Sequence, residues 1–188
     1  MSLSLEQLVF EVLKPKATLP PSSVLAERLA RPQCLKHAEA LHAALPYLES
    51  LSASGALSLM SAPIRDALEA RLTRERMLLS LLDQELEFSV SVLVTAKIPV
   101  VILKGMDLGR RFYPSRLARP MTDVDLLVRA EDYNAAIQEL AKHKYRFVGK
   151  VSTRRFRAEL SRYGESPVVE LHHRLVRGDS HGWLKAAW

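Results

Sequence analysis

One cysteine in 188 residues, Cys34, leaves this chain without an intramolecular disulfide and without a thiolate metal cluster. A lone thiol of this kind reads as a small buried hydrophobe. The N-terminus, Met1-Ser2-Leu3-Ser4-Leu5-Glu6, lacks the basic start and apolar core of a secretory signal. An apolar stretch near Val90 to Leu103 is interrupted by Lys97 and Pro99 and is too short to span a bilayer. These absences give the expectation of a cytoplasmic protein with no membrane partner.

What is present is the composition of a folded chain, 48% hydrophobic and 26% charged. Its length allows one ordinary domain, or a domain with a helical extension, and a real core. Charge is unevenly placed. Residues 1 to 103 carry 10 basic and 11 acidic side chains, a net −1, and residues 104 to 188 carry 17 and 10, a net +7. A cationic half suits a polyanion such as a nucleotide triphosphate or an RNA backbone. Equally, Arg110, Arg111, Arg154, Arg155 and Arg157 read as a solvated basic face, and charge alone does not choose.

Apolar spacing predicts helices over Leu5 to Leu13, from Ser22 or Ser23 to Leu29, over Gln33 to Leu45 and over Pro46 to Leu51, with breaks at Pro15, Pro20 and Pro21. His37 and His42 read as surface or half-buried residues. Pro63 opens the longest helical pattern, in which Leu68, Leu72, Leu79, Leu82, Leu86 and Val90 recur, and Pro99 closes it. A short β-branched strand, Val100 to Leu103, follows, then a turn at Lys104-Gly105 and a helix over about Met106 to Tyr113. Tyr113 to Arg116 is a turn. Glu131 to His143 reads as a further helix, Tyr145 to Val148 and Val168 to His172 as strands, with Ser152 to Tyr163 left unassigned.

The chemistry gathers at Asp123-Val124-Asp125-Leu126-Leu127-Val128. Strand side chains alternate, so Asp123 and Asp125 share one face. Two adjacent carboxylates repel unless one is protonated or a cation lies between them, and Mg²⁺ takes oxygen ligands of this kind. The bland alternative makes Asp123 a turn cap and Asp125 a solvated strand position. Arg119, four residues upstream, either reaches a phosphate with its planar fork or pairs with these acids. Glu170 and His172 likewise share one face of their strand, and His173 points away.

Lys104-Gly105 after Val100-Val101-Ile102-Leu103, Arg119-Pro120-Met121-Thr122 before the acidic strand, and Val168-Val169-Glu170-Leu171-His172 together resemble the uncharacterised bacterial nucleotidyltransferase family of the polymerase-β-type superfamily, over about residues 64 to 175. The resemblance implies an α+β fold, a small mixed β-sheet with flanking helices, preceded by a helical N-terminal region. The expected division is a helical extension, residues 1–62, and a nucleotidyltransferase core, residues 63–188. Only 18 residues follow Glu170 where relatives continue into a mostly helical region. The core is therefore expected to lack that region: either the sequence is cut short of it, or a second copy or a partner chain supplies its walls.

The resemblance also implies a site. Asp123, Asp125 and Glu170 are the expected catalytic and metal-binding residues, for Mg²⁺ or Mn²⁺. Lys104, Gly105, Arg119 and His172 are expected to bind the nucleotide. The wider superfamily usually has Gly-Ser at the turn, so Lys104 here is inferred to contact phosphate by charge. The expected activity moves a nucleoside monophosphate from an NTP, with ATP as the expected donor, to an unknown hydroxyl on a small molecule, RNA or protein, releasing pyrophosphate. The alternatives are a non-catalytic nucleotide- or RNA-binding module and a toxin-like enzyme that modifies tRNA.

Overall fold

The computed structural model describes residues 4–13, 23–40, 43–112, 119, 121–148, 157–164 and 167–174. Among them are seven α-helices and a five-stranded mixed sheet, an α+β fold in which a helical region precedes the sheet. The breaks expected at Pro15, Pro20 and Pro21, together with Ser22, His42, the Tyr113 to Arg116 turn, Arg154 and Arg155, lie outside the described residues.

The chain forms two compact units, 1–79 with 112–120, and 80–111 with 121–188. In the first, α1 (Leu5–Leu13), α2 (Ser23–Leu29), α3 (Pro32–Ala40) and α4 (Ala44–Ala53) pack with a short 3₁₀ turn, Ala56–Leu59. Leu8, Val9, Val12, Leu29, Tyr47 and Leu51 form the centre of its core. The Tyr47 hydroxyl donates to the Leu29 carbonyl at 2.6 Å, which satisfies both groups away from water. Cys34 is buried in the same core, as expected, and burial pushes its thiol pKa up. The sequence predicts a helix start at Pro46, whereas α4 begins at Ala44. A proline in the first turn costs nothing there, because its missing N–H has no intrahelical partner.

The long helix α5 (Ala62–Thr95) runs through the segment opened by Pro63. It ends where Lys97 adopts a left-handed φ of 59°, and the Ile98 N–H closes back onto the Leu93 carbonyl. In the second unit follow β1 (Val100–Ile102), α6 (Lys104–Arg111), β2 (Asp123–Val128), α7 (Tyr133–Lys142), β3 (Arg146–Phe147), β4 (Arg157–Ser161) and β5 (Val168–His172). The sheet order is β1-β2-β5-β4-β3. Only β2 and β5 pair in parallel, and the other neighbours are antiparallel.

The two parallel strands are the most deeply buried part of the sheet. Val124, Leu126, Val128, Val169 and Leu171 are all buried on one face, joined by Ala158 and Leu160 of β4. That apolar side fixes the register, since a slip by one residue would turn every one of these side chains to the other face. The opposite face is therefore free to carry polar groups.

Candidate active site

On that opposite face β2 presents Asp123 and Asp125, and β5 presents Glu170 and His172. The parallel register sets Asp125 against Glu170 and Leu127 against His172. Cross-strand partners project to one side of a sheet, so Asp125 is brought to an acid and an imidazole 45 and 47 residues further along the chain. Asp125 is 4% exposed, Glu170 7% and His172 3%. Asp125 is thus not a solvated strand position.

A carboxylate taken out of water needs charged or hydrogen-bonding partners, and both acids have them. Lys104 Nζ donates to Asp125 Oδ1 at 2.7 Å. His172 Nε2 lies 2.9 Å from the same oxygen and 3.3 Å from Glu170 Oε2. On the far side the Arg157 guanidinium pairs with Glu170 and, at 3.1 Å, with Glu159. One ligand atom each from Asp125, Glu170 and His172 lies within 4.8 Å of the other two.

The electrostatics follow from this packing. Burial pushes the Asp125 carboxyl up, but bonds from His172 and Lys104 more than offset it and hold the group below the ordinary carboxylate value. Asp123 is half-buried, and burial raises its carboxyl. Repulsion from Asp125 and Glu170 adds to that rise, against the attraction of Lys104 and Arg157. Asp123 therefore shares the field of the cluster, although the tightest donor group is Asp125, Glu170 and His172 rather than the three acids alone. Burial pulls the His172 imidazolium down, and its bonds to Asp125 and Glu170 carry it above the ordinary value.

Lys104 owes its place to the backbone. The Leu103 N–H bonds the Asp125 carbonyl at 3.0 Å, tying the end of β1 to β2 at the acid itself. The next residue, Lys104, turns into α6 with φ 45°. A left-handed conformation costs a non-glycine residue about 1–2 kcal/mol, and strain of this kind gathers at functional turns. The sequence expectation gave Lys104 to a phosphate, and here its ammonium holds Asp125. Gly105 follows in α6, half-buried. Arg119 lies in the other unit, half-buried, in the segment before β2. His173 turns away and packs on Tyr133 of α7, with ring centres 4.5 Å apart.

Two residues at the cluster were not singled out as candidates from the sequence. In the sequence Arg157 reads only as one member of a basic face, and Glu159 carries no site signature of its own. Both lie on β4, in the segment left unassigned. The alternation Arg157, Glu159, Ser161 against Ala158, Leu160 is the signal that would have found this strand. Arg110 and Arg111, by contrast, pair with Asp83 at 2.8 Å and Asp107 at 3.4 Å as surface helix residues.

A family model described as an uncharacterised nucleotidyltransferase matches residues 30–188. The chain belongs to that family. No curated protein and no solved structure matches it. The function of this nucleotidyltransferase-family protein is accordingly of the nucleotidyltransferase type, and its buried Asp125, Glu170 and His172 offer a group able to hold a metal ion. None of its described helices is long and apolar enough to cross a membrane.

The raised imidazole has a measurable consequence in protein treated with EDTA. The folded state holds the His172 proton more tightly than the unfolded chain does. This contribution to stability is full below about pH 6.5 and is lost as pH rises through the folded value. The urea midpoint of the wild type is expected to fall across that window, and His172→Gln to flatten the fall. An equal fall in both proteins would assign it to other groups.

Proposed function

We propose that this protein transfers a nucleoside monophosphate from a triphosphate, with ATP as the expected donor, to a hydroxyl acceptor and releases pyrophosphate, in a metal-dependent reaction at Asp123, Asp125 and Glu170. The observation that carries the reading is the buried Asp125–Glu170 pair, set against each other across parallel strands in a nucleotidyltransferase-family chain. The balance of charge supports a divalent cation. Asp123, Asp125, Glu159 and Glu170 face Lys104, Arg157 and one imidazole. With the imidazole neutral, that set lacks two positive charges. Oxygen donors packed this closely fit Mg²⁺ or Mn²⁺.

A divalent ion bound here would neutralise charge on the transferring group and lower the pKa of the attacking hydroxyl. Asp123 and Asp125 would hold an ion that meets the triphosphate, and with Glu170 they would hold a second on the acceptor side. Glu170 takes the acceptor's proton. The acceptor oxygen bonds to the α-phosphorus, the bond from that phosphorus to the bridging oxygen breaks, and pyrophosphate leaves with the electron pair. Lys104 and Arg157 would bind phosphate oxygens, Arg157 through its planar fork. Gly105 lets a phosphate come close to the turn, and Arg119 is a further candidate to bind phosphate. In this reading the catalytic core spans residues 63–188, RNA is among the candidate acceptors, and a second copy or a partner chain is a candidate partner.

Incubation with each labelled triphosphate, Mg²⁺ or Mn²⁺ and cell lysate is expected to put label on RNA, protein or a small molecule. A binding module would give none. The double variant Asp123→Asn with Asp125→Asn is expected to lose metal-dependent nucleotide binding while its circular dichroism stays that of the wild type. Binding that survives in the double variant sinks the proposal.

A further inference from the structure

Resting on the reading above, we infer that His172 is itself a ligand of the metal, and that through it the site takes Mn²⁺ in preference to Mg²⁺. The three donors come from two strands locked in register. Two of their three spacings are those of neighbouring positions around one ion. His172 Nε2 stands 2.9 Å from Asp125 Oδ1 and 3.3 Å from Glu170 Oε2. Ligands about 2.1 Å from a metal are separated by about 3.0 Å at adjacent octahedral corners and about 3.4 Å at tetrahedral ones.

Burial strengthens the assignment. All three side chains are more than nine-tenths buried, so the ring cannot swing out into water without breaking the packing around β5. Nε2 faces both carboxylates at once, which is where an incoming ion binds. Arg157 and Lys104 approach the same acids from other directions and compete for oxygen lone pairs, but neither can act as a donor to a metal at neutral pH.

Ligand chemistry then sets the choice of ion. Mg²⁺ demands oxygen ligands and binds nitrogen poorly, whereas first-row transition ions accept imidazole readily. Two carboxylates with one imidazole, completed by water or acceptor oxygens, form a mostly hard set with one borderline donor. Mn²⁺ matches that mixture better than either Mg²⁺ or the softer, thiolate-preferring ions. A site made only of the three acids would not discriminate in this way.

The test uses the full chain stripped with EDTA and titrated with Mn²⁺ or Mg²⁺ in a calorimeter. The electron spin echo of the Mn²⁺ complex is then examined for modulation by a directly bound nitrogen. Wild type is expected to bind Mn²⁺ at least tenfold more tightly than Mg²⁺ and to show the nitrogen modulation. His172→Gln is expected to lose the modulation and roughly 100-fold in Mn²⁺ affinity, with Mg²⁺ affinity little changed. His173→Gln is expected to leave all three readings as in wild type. Wild-type protein that binds Mn²⁺ without nitrogen modulation overturns the inference, and so does modulation that persists in His172→Gln. The wild-type spectrum alone is decisive if that variant fails to fold. If Asp125→Asn binds both ions as wild type does, the metal reading itself fails. If Asp125→Asn loses both ions while His172→Gln keeps its preference for Mn²⁺, only the role of His172 is overturned.

Discussion

Arg162→Ala is expected to destabilise this protein by about 3–5 kcal/mol, the cost of leaving one partner of a buried ion pair without its counter-charge. The carboxylate concerned is Glu85 of α5, which is 1% exposed. Arg162, just beyond β4, grips it with two bonds, Nε to Oε1 at 3.1 Å and Nη2 to Oε2 at 3.0 Å. The Tyr145 hydroxyl, just before β3, donates to Oε1 as well. The guanidinium also lies over the Phe88 ring, 3.8 Å from its centre, and Phe88 stacks on Tyr145. Alanine removes both the charge and the stacked surface, and one phenol cannot solvate the carboxylate that remains. Glu85→Leu with Arg162→Met is expected to recover most of the loss, since a hydrophobic replacement of a whole buried pair is often neutral. Urea unfolding of the three proteins measures this. An Arg162→Ala cost below about 1 kcal/mol would put the pair among ordinary surface bridges, such as Arg71 to Glu39 at 2.7 Å.

The same network marks how far the sequence could be read. The apolar pattern of α5 was plain, and with it the helix. Buried Leu82, Leu86 and Leu93 define the stripe, and Glu85 and Ser89 fall within it. Polar residues at core positions are the visible half of a buried network. The other half, Arg162, lies 77 residues away in sequence and follows no local period. The acids behaved similarly. Alternation correctly put Asp123 with Asp125 and Glu170 with His172, because each pair lies on one strand. That Asp125 would face Glu170 depends on the parallel pairing of β2 with β5, which no local pattern encodes.

Strand β4 was missed for a different reason. Its apolar side is only Ala158 and Leu160, while arginine and glutamate dominate the rest, so this basic stretch carries no pattern strong enough to assign. In the folded sheet Arg157 is the positive partner that buried Glu170 needs. Arg157 ends beside His172 in the ladder, and Glu159 beside Glu170. A strand that looks too polar to be structural is here the third wall of the site.

Glu170→Gln is expected to lower nucleotidyl transfer by about 10³-fold, the middle of the range for a general base, while nucleotide binding persists. The substitution keeps shape and volume, removes the charge and turns one acceptor oxygen into an NH₂ donor. The fold should tolerate it, because Arg157 retains Glu159 at 3.1 Å and is one-third exposed. Asp125 also keeps its bonds to Lys104 and His172. What is lost is the anion that accepts the hydroxyl proton and completes the acceptor side of the metal site. The effect should therefore fall on turnover rather than on affinity for the triphosphate, which in the proposed mechanism belongs to Asp123, Asp125 and the cations. Pyrophosphate release at saturating triphosphate and Mn²⁺, beside nucleotide affinity measured separately, distinguishes the two. A variant that turns over within tenfold of wild type would remove Glu170 from proton transfer. One that loses nucleotide affinity as well would make Glu170 a ligand of the triphosphate-side ion, and the acceptor proton would then fall to some other group.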